Sequence, residues 1–324
     1  MIIDKKRIFI TGIAGFIGFH LAKHLNSKGE YVIGCDNFNP YYSPELKRAR
    51  AKILQDSGIT ILETDICERS LLQNTVKEQE ITHFVHLAAQ AGVRYSLTHP
   101  ESYIHTNIDG FFQVLEVCRS RPSMRFIFAS SSSVYGLNEK IPFSENDPTD
   151  HPASLYGATK KAGETLAFAY HHLFGIPMRG LRFFTVYGPW GRPDMAYYSF
   201  TQAIIKGSPI QVFHEGKMRR DFTYIDDIVQ GIEGALNVKE GFEIFNLGNN
   251  HPEEVMELIS IIEKLASKKA VIEFLPMQPG DVPVTYADIE KSKKAFGFSP
   301  KTTLREGMEH FYRWYTDNRS SGYC

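Results

Sequence analysis

Apolar residues gather in short runs along the first 185 positions, each closed by small, polar or glycine residues. The runs cover residues 7–11, 31–35, 59–63, 83–87, 125–129 and 178–184. They are rich in Ile, Val and Phe and are shorter than a helix needs, which reads as buried strands. Between them apolar positions recur at helical spacing, as with Leu21, Ala22 and Leu25. Strand and helix alternating in this way predict a parallel sheet, so the fold class is α/β, a Rossmann-type doubly wound sheet. The alternation stops after about residue 180. Residues 185–193 read as a turn-rich segment, and residues 181–324 are expected to form mostly a smaller C-terminal α/β substrate-binding lobe. Residues 1–180 make the first domain, and the chain is expected to return to it near residues 224–247.

Ligands of doubly wound sheets collect at the C-terminal ends of the strands, so the residues closing each run carry the candidate chemistry. The first run ends in Gly12-Ile13-Ala14-Gly15-Phe16-Ile17-Gly18 and leads into a helix. Glycines spaced in this way permit a tight turn, close approach of a pyrophosphate and close helix packing, with helix amides facing the phosphates. The spacing is Gly-x-x-Gly-x-x-Gly. The second run ends at Asp36-Asn37, where a carboxylate can accept from the adenosine ribose diol and repel a 2′-phosphate, favouring NAD over NADP. Asp65-Ile66 after the third run is placed beside the adenine. Leu87-Ala88-Ala89-Gln90 after the fourth lets backbone approach the cofactor, and Phe183 closes the sixth at the same edge.

The fifth run delivers four serines, Ser130 to Ser133, then Val134-Tyr135-Gly136. Tyr156-Gly157-Ala158-Thr159-Lys160 follows. Tyr and Lys four apart share a helix face. A free tyrosine ionises near pH 10. An ammonium roughly 4 Å away, at an effective dielectric of about 20, favours the phenolate by about 4 kcal/mol, or roughly three pKa units. A serine hydroxyl could bridge the phenol and a substrate oxygen. Together they can take a proton from an alcohol while its carbon gives up a hydride. Tyr156 is the only one of the sixteen tyrosines followed by Lys at the fourth position.

Net charge is −1 and gives no case for nucleic-acid binding. No apolar run reaches 18 residues, so no membrane span is expected. Cys35, Cys67, Cys118 and Cys324 lack metal spacing, so no metal is expected. They read as reduced thiols of a cytoplasmic protein. The first seven residues lack the apolar core and cleavage site of a signal peptide.

Thr11-Gly12-x-x-Gly15-x-x-Gly18, the serine cluster with Val134-Tyr135-Gly136, Tyr156-x-x-x-Lys160 and Arg220-Asp221-Phe222 together resemble the extended short-chain dehydrogenase/reductase superfamily. Within it, residues 36–42, 182–196 and 277–283 are similar to the UDP-glucuronate 4-epimerases. The resemblance implies NAD as cofactor and UDP-glucuronate converted to UDP-galacturonate through a 4-keto sugar, for polysaccharide biosynthesis. It implies Ser131 as the catalytic hydroxyl, with one or two positions of latitude among the serines, and Ser132 and Ser133 on the sugar. Related dehydratases and decarboxylases carry carboxylates there, and their absence argues for epimerisation without elimination. Arg192 is the candidate for the sugar carboxylate with Thr185 assisting, Arg220 for the diphosphate, and Arg94 for the sugar side. Gln278 stands where UDP-galactose 4-epimerases carry arginine, with Asp281 in the same loop. A homodimer is implied, through helices near 100–118 and 153–173. The other readings are a 4-epimerase of a neutral or N-acetylated UDP-hexose and a non-catalytic NAD-binding scaffold.

Overall fold

The computed structural model describes residues 5–238, 240–278 and 280–322. The absence of a leader read from residues 1–7, Pro279 of the 277–283 stretch and Cys324 fall wholly or partly outside the described residues. The strands are β1 (Arg7–Thr11), β2 (Tyr31–Asp36), β3 (Thr60–Glu63), β4 (His83–His86), β5 (Arg125–Ser131), β6 (Met178–Phe183), β7 (Thr185–Tyr187), β8 (Pro209–Phe213), β9 (Arg219–Tyr224), β10 (Phe242–Leu247), β11 (Pro252–Glu254) and β12 (Val271–Leu275). A seven-stranded sheet runs β10-β6-β5-β4-β1-β2-β3 with every pairing parallel. This is the doubly wound order, and it reverses between β1 and β4, where a crevice opens.

Strand side chains alternate between two cores. Ile8, Ile10 and Ile127 face one apolar cluster, while Phe9, Phe126 and Phe128 face the other. Burial on both faces is why the strands read as continuous apolar runs. The first cluster is closed by α1 (Phe16–Ser27) and α8 (Ile225–Leu236). The second is closed by α3 (Arg69–Glu78), α5 (Phe111–Arg119) and α6 (Leu155–Phe174). Between α1 and α3 lies α2 (Pro44–Asp56). The short α4 (Pro100–Tyr103) runs through a π-helical segment, Ile104–Gly110, into α5.

A buried ion pair seats α6. Arg182 of β6 grips Glu164 in two bonds of 2.8 Å, and Ser130 of β5 donates to the same carboxylate at 2.6 Å. Both charged side chains are almost fully buried. Ser154 caps the helix by accepting from the Gly157 amide at 3.1 Å, and Gly175 ends it in the left-handed conformation.

Smaller sheets, β11-β9-β7 and β12-β8, complete the fold. The turn-rich reading of 185–193 needs correction at its start, because Thr185–Tyr187 is a strand paired in parallel with β9. Three residues between Phe184 and Gly188 are too few to show a period. In the Arg220-Asp221-Phe222 stretch the carboxylate is structural. Asp221 is fully buried and accepts from the amides of Asn249 (2.5 Å), Ala287 (2.9 Å) and Asn250 (3.1 Å).

Candidate active site

One cleft lies over the C-terminal ends of β1, β2, β4, β5 and β6. Its floor is the turn after β1. Thr11 Oγ1 accepts from the Leu87 and Ala88 amides, each at 3.2 Å, which draws the end of β4 against Gly12. Gly12 has φ +69°, and a Cβ there would stand 2.8 Å from the Ala88 nitrogen. Gly15 is the N-cap of α1 and, lacking a side chain, leaves the first helix amides without a side-chain cap. An uncapped helix N-terminus at a cleft is a site for an anionic group such as phosphate.

Gly12, Gly15, Phe16, Ile17, Gly18, Asp36, Asn37, Ile66, Leu87, Ala88, Ala89, Gln90, Ser131, Tyr156, Lys160, Phe183 and Arg192 all line the cleft. Asp36 is held by amides, from Ala14 at 3.1 Å and Phe38 at 2.9 Å. Burial pushes its carboxyl upward, and those amides with the nearby Lys47 work against that shift. Asp65 is set back from the lining and accepts from Asn37 at 2.8 Å. With Cys67 and His105 it forms a group of donors within 4.8 Å of one another, a juxtaposition that cysteine spacing does not reveal.

The four serines take different places. Ser130 borders the cleft with its hydroxyl turned to Glu164, and Ser132 and Ser133 begin a 3₁₀ turn outside the lining. Ser131 lines the cleft, favours the ionised form of the Tyr156 phenol, and donates its hydroxyl to Ser133 Oγ at 3.2 Å. Its oxygen also accepts from the Ser133 amide at 3.1 Å. Tyr156 and Lys160 stand four residues apart on α6, and both line the cleft. The Lys160 ammonium donates to the Ala129 carbonyl at 3.0 Å. Burial pushes Tyr156 above its ordinary value, and the groups that pull it down are the Ser131 hydrogen bond and the Arg192 charge. An ammonium enclosed by protein takes the nearest carbonyl oxygen.

Arg192 reaches the cleft from the segment after β7. Thr185 does not join it, and Arg94, Arg220, Gln278 and Asp281 also stand outside the lining. Three of these form a second group, in which Arg94 pairs with Asp281 at 3.3 Å and both charges act on Arg220. Arg220 donates to the carbonyls of Arg219 (2.9 Å) and Pro283 (3.2 Å). The sequence reading gave no role to Tyr41, Lys47 or Asp194. Tyr41 and Lys47 line the cleft, and Asp194 pairs with Arg192. Tyr41 and Asp194 lie in stretches already singled out by resemblance, which was the available signal.

The sequence matches the NAD dependent epimerase/dehydratase family over residues 8–248. The chain belongs to that family. UDP-glucuronate 4-epimerase 2 of Arabidopsis thaliana is 50% identical over 326 residues, which span 95% of this chain and 75% of the relative. The crystal structure of UDP-glucuronic acid 4-epimerase from Bacillus cereus, in complex with UDP-glucuronic acid and NAD, superposes with a TM-score of 0.90. It is 36% identical, over 96% of this chain and 99% of that one. UDP-glucose 4-epimerase of Thermotoga maritima reaches a TM-score of 0.88 at 28% identity, over 97% and 99%. Members of the NAD dependent epimerase/dehydratase family can thus share this fold while their names record different sugars.

Lys160 offers a test in this family member. Burial brings its ammonium down to about 8 from an ordinary 10.5, partly offset by Glu164. The folded protein therefore holds this proton less tightly than the unfolded chain. The penalty on folding is full below about pH 8 and fades as the pH rises towards the ordinary lysine value. In cofactor-free protein, Lys160→Met should gain about 1–3 kcal/mol at pH 7 after loss of one hydrogen bond. The gain should shrink by pH 9.5 in urea unfolding, and a variant less stable than the parent at pH 7 would contradict this reading.

Proposed function

We propose that this protein interconverts UDP-glucuronate and UDP-galacturonate, with NAD as its cofactor. One observation carries the reading: a single cleft is lined by Tyr156, Ser131, the bare N-terminus of α1, and Arg192. The residues fit a dinucleotide, with the uncapped amides of α1 for the pyrophosphate, the Gly12–Ala88 contact for close backbone approach and Asp36 for the ribose. Asn37, Asp65, Ile66 and Gln90 surround the adenosine side. Residues 1–180 with β10 serve the cofactor, and residues 181–324 serve mostly the UDP-sugar.

Tyr156, as phenolate, takes the proton from O4 of the sugar while Ser131 bridges the two oxygens. Burial opposes ionisation, so Ser131 and Arg192 are needed to favour the charged form. Lys160, anchored on Ala129, adds positive charge farther along the same helix face. NAD, when bound, supplies the redox chemistry by accepting hydride from C4 and returning it to the opposite face, so no net oxidation occurs. Ser132 and Ser133 border the sugar. Arg220 neutralises the diphosphate, with Arg94, Gln278 and Asp281 around it, so that UDP stays held while the sugar turns.

A sugar with a ketone at C4 and a carboxylate on C5 is a β-keto acid and can lose CO₂ when the breaking bond aligns with the carbonyl π system. Arg192 holds that carboxylate out of alignment through charged hydrogen bonds. This role favours a hexuronate over a neutral hexose, and a scaffold has no need of Ser131, Tyr156 and Lys160 together. Exposed Ile104, Phe112 and Phe168, on the π–α5 segment and α6, support a homodimer. Buried Cys35 and Cys118, both free, suit a reducing cytoplasm.

Incubation with UDP-glucuronate and separation of the epimers tests the reaction directly. Tyr156→Phe should abolish turnover and still bind NAD; substantial activity would end the phenolate assignment. Arg192→Leu should weaken UDP-glucuronate recognition and release a 4-keto pentose. Unchanged UDP-glucuronate kinetics would remove Arg192 from the carboxylate.

A further inference from the structure

The guanidinium assigned to the sugar's acid group already holds a carboxylate. Arg192 Nε donates to Asp194 Oδ1 at 3.1 Å and Nη2 donates to Oδ2 at 2.6 Å. The Tyr41 hydroxyl donates to the same Oδ2 at 3.0 Å, and its ring lies 5.7 Å from the guanidinium. The pair is partly shielded from solvent, with Arg192 20% and Asp194 31% exposed at the side chain.

A guanidinium has two edges that can grip a carboxylate, one through Nε and one through Nη1. Asp194 occupies the Nε edge. The two bonds to Asp194 use Nε and Nη2 and leave Nη1 out. Asp194 is thus placed to fix the plane of the fork without closing it. Tyr41 in turn fixes Asp194, so two separate stretches of sequence meet at one cation.

We infer that Asp194, steadied by Tyr41, is a positioning residue that holds the Arg192 guanidinium with its Nη1 edge open to the carboxylate of a hexuronate. This rests on the reading of Arg192 given above. Its consequence is selectivity, because an arginine held by an aspartate presents a fixed donor edge to the sugar. Without that hold the long side chain samples other rotamers, and ordering it opposes binding. A neutral sugar makes no use of the edge and is indifferent to Asp194.

The measurement is calorimetric binding of UDP-glucuronate and of UDP-glucose to NAD-loaded parent, Asp194→Asn, Tyr41→Phe and Arg192→Leu proteins. For Asp194→Asn, UDP-glucuronate should weaken by about ten- to hundredfold, the worth of a charge-assisted hydrogen bond. UDP-glucose should move by less than about threefold, within the scatter of a surface change. Tyr41→Phe, which keeps the ion pair, should show the same preference to a smaller extent. In an Arg192→Leu background, Asp194→Asn should add nothing, as expected of residues acting as a unit. Equal weakening of both ligands, no weakening, or tighter UDP-glucuronate binding by Asp194→Asn would overturn the proposal. If Arg192→Leu itself leaves UDP-glucuronate binding intact, the reading of Arg192 falls first, and that result is separate from the others.

Discussion

The buried Glu164–Arg182 pair is the constraint on which the catalytic geometry hangs. It ties α6 to β6, and through Ser130 to β5, with both charged groups removed from water. A buried pair of this kind is poor as a source of net stability, yet losing one partner costs about 3–5 kcal/mol. Its value here is orientation. Glu164 is one helical turn beyond Lys160, so the pair fixes the rotation of α6. That rotation decides that Tyr156 meets Ser131, the next residue of β5 after Ser130. The same strand end therefore offers one serine to hold the helix and, in the proposed mechanism, its neighbour for the chemistry.

A second buried arginine joins the two halves of the cleft. Arg50 of α2 donates to the Ala14 carbonyl in the glycine turn (3.1 Å), to the Tyr42 hydroxyl (2.8 Å), and to the carbonyls of Trp190 (2.6 Å) and Gly191 (3.0 Å). The glycine turn and the segment that carries Arg192 are thus bound to one fully buried cation. Arg192 serves both sides of the mechanism. Its charge favours ionisation of Tyr156, its donors are the ones proposed for the substrate's acid group, and Asp194 pairs with it.

Much of this was legible in the sequence because it depends on local pattern. The six apolar runs became the first six strands of the main sheet, and residues at or just after their C-terminal ends line the cleft, since parallel topology sends every strand end to one rim. Asp36 and the glycine turn follow from that rule, and Tyr156 with Lys160 follows from helical spacing. What local pattern could not supply was pairing across distance. Nothing adjacent to Lys160 announces that its ammonium will rest on Ala129, thirty-one residues earlier. Nothing beside Tyr41 announces Asp194, 153 residues later. Strand β7 was missed because three residues cannot show a period, and the second group of Arg94, Arg220 and Asp281 was named without the knowledge that its members meet each other.

The account stands or falls on where the hydrogens travel. The direct measurement is epimerisation of UDP-glucuronate by the NAD-loaded protein in deuterium oxide, with the UDP-galacturonate examined by proton NMR and mass spectrometry. Hydride held within the cleft and returned to the same carbon predicts product that keeps protium at both C4 and C5. Deuterium at C5 would mean that inversion involves a carbanion beside the carboxylate. Deuterium at C4 would mean that the hydrogen is lost to solvent, and either result would contradict the account.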